Sequence, residues 1–413
     1  MPFGSSSPDH NRIEQQRKGL RILFIIVAIL ILIGLLNVYS STLYMNVEAG
    51  DNPYGYFIKQ SVYLVLGSVF FQIMRKNKPE LWGKLSGILS IGTIVLLLLV
   101  FVAGRTVNGA TRWIALGPIS IQPSEIAKLP AILWAARYLA VKMDVGKKIT
   151  VFAEIHAMFQ RSKNGKSSFV TQFLSYFKPL FMPLLMALLV IKQPDMGTAV
   201  MILAFPAMMY ILAGMPFLEI ICAGTLLIGA FLILALTSAY RKARLVVLWD
   251  PFSRASDLGY QTVQSLIAVG SGGILGQGAG QGFSKFFYLP EQHTDFAFAV
   301  FCQEWGLIGA LFLLFLFVGF LYIGLRLASQ VNNTYRMLLI SGLTLLIGTQ
   351  AFINMAMVIG CFPVTGIPLP FISYGGTSLV INLMAVGLIV GAVEYSMKEE
   401  EQKQRIILND INY

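Results

Sequence analysis

The chain contains about ten apolar stretches, each close to the length that crosses a lipid bilayer. They lie near Leu20–Ser40, Phe57–Met74, Leu81–Ala103, Glu125–Val141, Phe177–Ile191, Thr198–Met215, Leu218–Ser238, Ala297–Leu325, Met337–Gly360 and Thr377–Ser396. Because lipid cannot satisfy open backbone groups, such stretches must form helices. With 56% hydrophobic and only 12% charged residues, the whole chain fits this class. We therefore predict an all-α polytopic membrane protein with about ten transmembrane helices.

The basic residues are distributed in a way that predicts the topology. Arg17 and Lys18 precede the first span, and Arg75 and Lys76 follow the second, whereas the first loop has no Lys or Arg before Lys59. Cytoplasmic loops carry the excess of Lys and Arg, so both termini and the even-numbered loops are predicted to be cytoplasmic. This pattern accounts for most of the net charge of +11. Nucleic acid is therefore not expected as a partner.

The predicted organisation is one membrane domain, residues 20–396, between two polar cytoplasmic tails, residues 1–19 and 397–413, which are expected to be disordered. The cytoplasmic loop 142–178 has apolar residues at helical spacing with basic residues between them, which is typical of amphipathic helices on a membrane surface. The large extracytoplasmic loop 239–296 joins the seventh and eighth spans. Its glycine-rich stretch 270–282 lacks the Lys-Ser/Thr ending of a P-loop, so a tight or re-entrant loop is predicted.

Two outward loops carry cations against the topological rule. The third loop holds Arg105 and Arg112, and the seventh holds Arg241, Lys242, Arg244, Arg254 and Lys285. Cations kept on the disfavoured side indicate an anionic ligand, although single residues of this kind can also be solvated surface charges. The three Cys and three His residues are scattered, which argues against a metal cluster or a disulfide framework.

Polar residues also occur at the ends of several spans. Glu125 and Lys128 fall three residues apart on one helix face, where they could form a local ion pair or line a cavity. Asp195 is predicted to cap the helix that follows it. Asp295 lies where the polar seventh loop enters the eighth span, so it could be a helix cap or a catalytic acid.

Several motifs together resemble the shape, elongation, division and sporulation (SEDS) family. They are Gly109–Trp113, Gln122–Glu125, Gln193–Thr198, Gly259–Gln261, Leu289–Phe296 and Ser373–Gly376, in family order along nearly the whole chain. The resemblance implies a peptidoglycan glycosyltransferase of the bacterial cytoplasmic membrane that polymerises lipid II into lipid-linked glycan at the outer face. It also implies a class B penicillin-binding protein as partner, within an elongation or division complex. Leu35–Ser40 and Gly366–Pro370 resemble the elongation branch (RodA) more, whereas Phe287–Pro290 resembles the division branch (FtsW), and RodA is favoured.

The resemblance also assigns roles to residues. The family's essential aspartate falls on Asp295 and its loop tryptophan on Trp113, while Gln303-Glu304 stands where the family often has two acids. Asp295 is the expected catalytic base, and the N-terminus of the following helix should favour its anionic form. The expected substrate-binding residues around it are Arg112, Trp113, Gln122, Glu125, Lys128, Arg241, His293 and Glu304.

The leaving diphosphate of such a reaction needs cations, which Arg112, Lys128 and Arg241 could supply. A divalent cation such as Mg²⁺ could share this task, although no ligand cluster demands it. Two other classes stay open. A lipid II flippase would use similar cations but needs a polar path across the bilayer. A non-catalytic scaffold of the cell-wall machinery would tolerate the loss of Asp295.

Overall fold

The computed structural model describes residues 8–107, 110–117, 119–146, 150, 169–236, 247–257, 259–283 and 289–411. Its helices are α1 (Pro8–Glu48), α2 (Gly55–Lys76), α3 (Pro79–Ala103), α4 (Pro123–Asp144), α5 (Phe169–Lys192), α6 (Met196–Leu212), α7 (Phe217–Leu236), α8 (Tyr260–Ser271), α9 (Ala297–Ser329), α10 (Thr334–Val358) and α11 (Gly376–Ile411). Each of the predicted apolar stretches overlaps one of these helices.

Six of the described helices are long and apolar enough to cross a membrane: α1, α2, α3, α9, α10 and α11. The central pair is α10 and α11, whose most apolar windows are 72% and 89% buried, against 22% for α2. The outer helices expose large apolar side chains, such as Val65, Ile88 and Phe315. Large apolar faces are unfavourable in water, so these faces form the lipid-facing surface. The all-α polytopic prediction is confirmed, and the total of about ten spans stays a prediction.

The described residues include a small antiparallel sheet between α3 and α4, which the sequence did not lead us to expect. Its strands are β1 (Arg105–Val107), β2 (Ala110–Leu116) and β3 (Ile119–Ile121), in the order β1-β2-β3. Threonine, tryptophan and isoleucine in β2 favour an extended chain. The hydroxyl of Tyr63 in α2 donates to the carbonyl of Ser120 at 3.1 Å and fixes β3 against the bundle.

The described parts of the two polar tails, residues 8–19 and 397–411, are helical, so the expectation of disorder was wrong for these residues. Helix α1 begins at Pro8 and α11 continues to Ile411, well beyond the apolar stretches. The two extensions lie side by side, and Arg17 contacts Glu401 at 2.7 Å. Exposed pairs of this kind contribute little each. The extensions are ordered because each continues a membrane helix and finds charges of opposite sign in the other.

The two long loops are described in part. Of loop 142–178, residues 147–149 and 151–168 lie outside the described residues, and with them the first expected amphipathic segment. The second begins at Phe169 and continues into the fifth expected span as α5. Of loop 239–296, residues 239–246, 258 and 284–288 lie outside the described residues, and helix α8 occupies Tyr260–Ser271.

The glycine-rich stretch packs against a break in α9. Gly306 has φ 65° and ψ −165°, a conformation that interrupts the helix and that only glycine adopts readily. The backbone amides of residues 277 and 278 donate to the carbonyls of Gln303 and Glu304, both at 3.0 Å. These bonds satisfy groups that the break would otherwise leave open at membrane depth. The predicted tight loop is confirmed, and it closes an interrupted membrane helix.

Candidate active site

A cavity of about 980 Å³ lies where the sheet, the start of α6, helix α8 and the turn before α9 meet. The loop 361–375 forms another wall. The polar and charged residues that line it include Arg105, Arg112, Trp113, Gln122, Asp195, Asp257, Glu291, Thr294, Asp295 and Tyr374. Asp295, Arg112, Trp113 and Gln122, all expected from the sequence, are thus brought together in one cavity.

Asp295 is presented by a compact turn in front of α9. The amides of Thr294 and Phe296 both donate to the carbonyl of Glu291, at 3.1 and 3.2 Å. Glu291 takes a left-handed conformation, with φ 53°, to close this turn. The cap position of α9 is Phe296, which makes no side-chain cap bond, so Asp295 is not the helix cap. Its carboxylate faces the cavity, and none of the described residues donates a hydrogen bond to it.

Asn354 of α10 holds this turn against the opposite wall of the cavity. Its Nδ2 donates to the carbonyls of Asp295 and Ile367, both at 2.7 Å, and the side chain is fully buried. At this point the cavity wall lies close to the Asp295 carboxylate. A Cβ added to Gly366 would lie 3.3 Å from the Asp295 Oδ2. Gly366 also has φ +71°, so a side chain there would be strained.

Burial, the largest cause, raises the pKa of Asp295 together with the nearby Glu291 and Asp195, while Arg112 opposes them, and the net pKa is about 7. The sequence analysis expected the helix N-terminus to favour the anionic form of this acid, but the net shift of its pKa is in the opposite direction. Desolvation and like charges outweigh the helix dipole here. Although Asp295 can be reached from the cavity, protein surrounds it closely enough to disfavour its charge. A carboxylate poised near neutral pH can accept a proton and return it.

Two arginines of the small sheet border the cavity. Arg112 donates from Nε to the carbonyl of Gln193 at 3.3 Å and from Nη2 to the carbonyl of Pro194. These contacts fix its guanidinium beside the start of α6, within electrostatic reach of Asp295. Arg105 on β1 lies on the same cavity wall and is exposed to solvent. Together they place two positive charges on the sheet side of the cavity.

Asp195 has the capping role that the sequence predicted. Its Oδ1 accepts from the backbone amide of Thr198 at 3.2 Å, and its Oδ2 accepts from the hydroxyl of Ser124 at 3.2 Å. Gln122 lies beside them, donating from Nε2 to the Ser124 hydroxyl at 3.1 Å. Asp195 therefore has two effects: it caps helix α6, and its negative charge helps to raise the pKa of Asp295.

Glu125 and Lys128 form a buried ion pair that does not line the cavity. The Lys128 Nζ lies 2.6 Å from Glu125 Oε1, and the two side chains are only 2% and 4% exposed. The same ammonium donates to Gln350 Oε1 at 2.9 Å, and Gln350 donates to the carbonyl of Pro368 at 2.9 Å. Lys128 thus supports the loop 361–375 from behind. It is not placed where it could contact a diphosphate in the cavity.

His293 and Glu304 also lie away from the cavity lining. His293 packs edge-on against Tyr56 at 5.1 Å and near Tyr374 at 5.8 Å, and burial lowers its pKa. Glu304 is buried in α9 and accepts from the hydroxyl of Ser40 in α1 at 2.5 Å. Arg241 lies outside the described residues. The substrate-binding roles of all these residues stay predictions.

Three residues of this site were not among the substrate-binding residues expected from the sequence. Arg105 was noted as an outward cation like Arg112, but no substrate-binding role was assigned to it. Asn354 could have been noticed as a polar side chain within an apolar span, where such residues are costly. No sequence pattern indicated the effect of Glu291 on the pKa of Asp295, because this effect depends on the fold of the turn.

Metal binding has little support within the described residues, since no three His, Cys, Asp or Glu side chains are grouped to hold an ion. A divalent cation would need ligands from the bound substrate, such as diphosphate oxygens.

The fold and the cavity define a multi-pass membrane protein with a weakly acidic carboxyl group beside fixed arginines. The sequence profile of the FtsW/RodA/SpoVE cell cycle proteins matches residues 20–398. The chain belongs to this family.

Relatives and solved structures agree with this assignment. A probable peptidoglycan glycosyltransferase FtsW of Saccharophagus degradans is 35% identical over 98% of this chain and 99% of its own length. Stage V sporulation protein E of Bacillus subtilis is 34% identical over 91% of this chain and 95% of its own. The sequence preference for RodA over FtsW gains no support from these relatives.

Among solved structures, one described as "Structural coordination of polymerization and crosslinking by a peptidoglycan synthase complex" superposes with a TM-score of 0.68. It is 27% identical and covers 91% of this chain and 97% of its own. Rod shape determining protein RodA of Thermus thermophilus gives a TM-score of 0.62 at 27% identity, covering 91% of this chain and 96% of its own.

Proposed function

We propose that the protein polymerises lipid II in the cavity at Asp295, at the outer face of the bacterial cytoplasmic membrane. The chain is a peptidoglycan glycosyltransferase of cell-wall synthesis, as its curated relatives are named. The observation that carries the proposal is the Asp295 carboxyl, which has a pKa of about 7, no hydrogen-bond donor among the described residues, and a cavity in front of it.

The reaction joins a sugar hydroxyl of one lipid-linked molecule to the anomeric carbon of another. A carbon–oxygen bond forms there while the bond from that carbon to the diphosphate oxygen breaks. Asp295 accepts the hydroxyl proton as the new bond forms, so the attacking oxygen does not develop a full positive charge. Arg112 and Arg105 lie where they can stabilise the negative charge that collects on the departing diphosphate.

The geometry supports a polymerase better than a flippase or a scaffold. A scaffold does not need a carboxyl group that faces a cavity and accepts no hydrogen bond from the described residues. A flippase needs a polar path inward, but Lys128, Glu125 and Glu304 are buried and engaged in contacts within the bundle. The charges that line the cavity come mainly from the sheet, the start of α6 and the turn before α9.

A class B penicillin-binding protein is the proposed partner, in an elongation or division complex. A solved structure similar to this chain describes a peptidoglycan synthase complex that coordinates polymerisation and crosslinking. With both termini cytoplasmic, the catalytic cavity would open on the side where such a partner crosslinks glycan.

Glycan synthesis by the purified chain tests the proposal. Labelled lipid II is incubated with the protein alone and with its class B partner, and the products are separated by length. We expect labelled strands longer than the substrate. If protein that demonstrably binds lipid II yields no glycan with or without the partner, the polymerase assignment is wrong.

A further inference from the structure

The end of α2 opposite the catalytic cavity carries a second, smaller cavity. It has a volume of about 270 Å³ and is lined by Gln72, Arg75, Lys76, Glu394, Tyr395 and Lys398. The first three belong to the last turn and a half of α2, and the others to α11. We call this cavity the α2–α11 wedge. By the distribution of Lys and Arg along the chain, it lies at the cytoplasmic interface of the membrane.

The wedge has a structural cause. Within the membrane, α2 and α11 approach closely through two glycines four residues apart. A Cβ on Gly387 would lie 2.6 Å from the carbonyl of Phe71, and one on Gly391 would lie 2.7 Å from the carbonyl of Arg75. Such small-residue contacts are the usual way for membrane helices to pack closely. The wedge lies beyond Gly391, where α11 contributes the larger side chains of Glu394, Tyr395 and Lys398.

The wedge carries an excess of positive charge. Arg75 donates from Nε and Nη2 to Glu394, with the shortest contact at 2.7 Å, so these two charges compensate each other. Lys76 and Lys398 are exposed and form no ion pair with any described residue. The Arg75 Nη1 likewise donates to no described residue. The residues that line this small polar cavity therefore carry two ammonium groups without an ion-pair partner among the described residues.

The lipid-facing surface of α2 leads into this wedge. Val62, Val65, Val69 and Ile73 are 50%, 67%, 53% and 40% exposed, and they form an apolar stripe that ends one turn before Lys76. An acyl chain can lie along this stripe while its head group enters the wedge. Basic pockets between membrane helices on the cytoplasmic side are suited to anionic head groups.

From these contacts we infer that the α2–α11 wedge binds the phosphodiester head group of an anionic phospholipid from the cytoplasmic leaflet. A zwitterionic lipid fits less well, because its ammonium group would meet Lys76 and Lys398. Glu394 cannot receive that ammonium group freely, since it is engaged by Arg75.

Native mass spectrometry of the full chain with phosphatidylglycerol or phosphatidylethanolamine tests this inference. The double variant Lys76→Ala/Lys398→Ala should bind phosphatidylglycerol about 30-fold more weakly, since each lysine near an anionic lipid contributes roughly fivefold. The matched control is Lys84→Ala/Lys403→Ala, which removes the same charge from exposed positions outside the wedge. It should retain phosphatidylglycerol. Equal loss in both double variants would mean that general surface charge, not the wedge, holds the lipid.

A filling variant separates the shape of the wedge from its charge. Gln72→Trp keeps every cation but occupies the space, and it should also lose selective phosphatidylglycerol binding while its melting temperature stays unchanged. Inorganic phosphate should not displace the lipid, because it lacks the acyl chain that contacts α2. The inference fails if Gln72→Trp binds as the parent does, if phosphatidylethanolamine binds equally well, or if inorganic phosphate competes.

Discussion

The pKa of Asp295 should be visible as the pH dependence of polymerisation. With a pKa of about 7, this carboxyl group is ionised in about a tenth of molecules one pH unit below that value and in about nine-tenths one unit above it. Only the ionised form can accept the hydroxyl proton, and kcat/KM reports the pKa of the enzyme without substrate, so kcat/KM for lipid II should rise roughly tenfold between about pH 6 and about pH 8.

Replacing a neighbouring charge should move this profile in a known direction. Glu291 raises the pKa of Asp295, so Glu291→Gln should shift the rising limb to lower pH. The amide can still accept the hydrogen bond that the Thr294 hydroxyl now donates to Glu291 Oε2 at 2.9 Å, so the turn should persist. Asp257→Asn is the matched control, since Asp257 lines the same cavity but is not among the charges that shift Asp295.

The assay follows initial glycan synthesis at a series of pH values for the parent and both variants. We expect a lower midpoint for Glu291→Gln and an unchanged midpoint for Asp257→Asn. A flat profile across this range, or the same displacement in both variants, would refute the assignment of the titrating group to Asp295.

Four further substitutions test other residues that the sequence or the structure connects with catalysis. Arg112→Ala should lower kcat/KM for lipid II by about 10- to 100-fold, and lysine should restore only part of it, because it lacks the planar fork. The same decrease in kcat/KM is predicted for Arg241→Ala. If both alanine variants have the kinetics of the parent, the two arginines are only surface charges and do not bind the substrate. Asn354→Leu should lower kcat while lipid II binding persists, since two carbonyls lose their donor. Asn382→Leu is the control: among the described residues this buried asparagine donates to the Ser378 hydroxyl of its own helix α11. It should leave kcat intact, and an equal fall would indicate general destabilisation. Glu304→Gln should reduce polymerisation in part, and sealed vesicles containing the parent should translocate no lipid II. Glu304-dependent translocation would favour a flippase instead.

The helices were predictable because membrane burial leaves a strong signal in composition. Each stretch of about 20 apolar residues has few alternatives to a helix in lipid. Asp195 as a helix cap was equally accessible, since capping depends on residues three apart. Asp295, Arg112 and Trp113 could be brought to one site because family motifs and outward cations pointed to them independently.

The remaining features depend on contacts between residues far apart in the chain. Lys128 does not line the cavity, and its ammonium group instead donates to Gln350, a residue 222 positions later. The raised pKa of Asp295 comes from the burial that its surroundings impose, a quantity that no local pattern encodes. The order in the polar tails likewise results from pairing across the bundle, as between Arg17 and Glu401, which are 384 positions apart.

Replacement of Asp295 by asparagine tests the central claim most directly. The amide keeps the size of the side chain but cannot accept the proton, so glycan synthesis should fall by about a hundred- to ten-thousand-fold. Because the buried charge is removed as well, the melting temperature of Asp295→Asn should be equal to or above that of the parent. Polymerisation of labelled lipid II by both purified, folded proteins is the measurement. Near-parental glycan yield from the asparagine variant would contradict a catalytic role for Asp295.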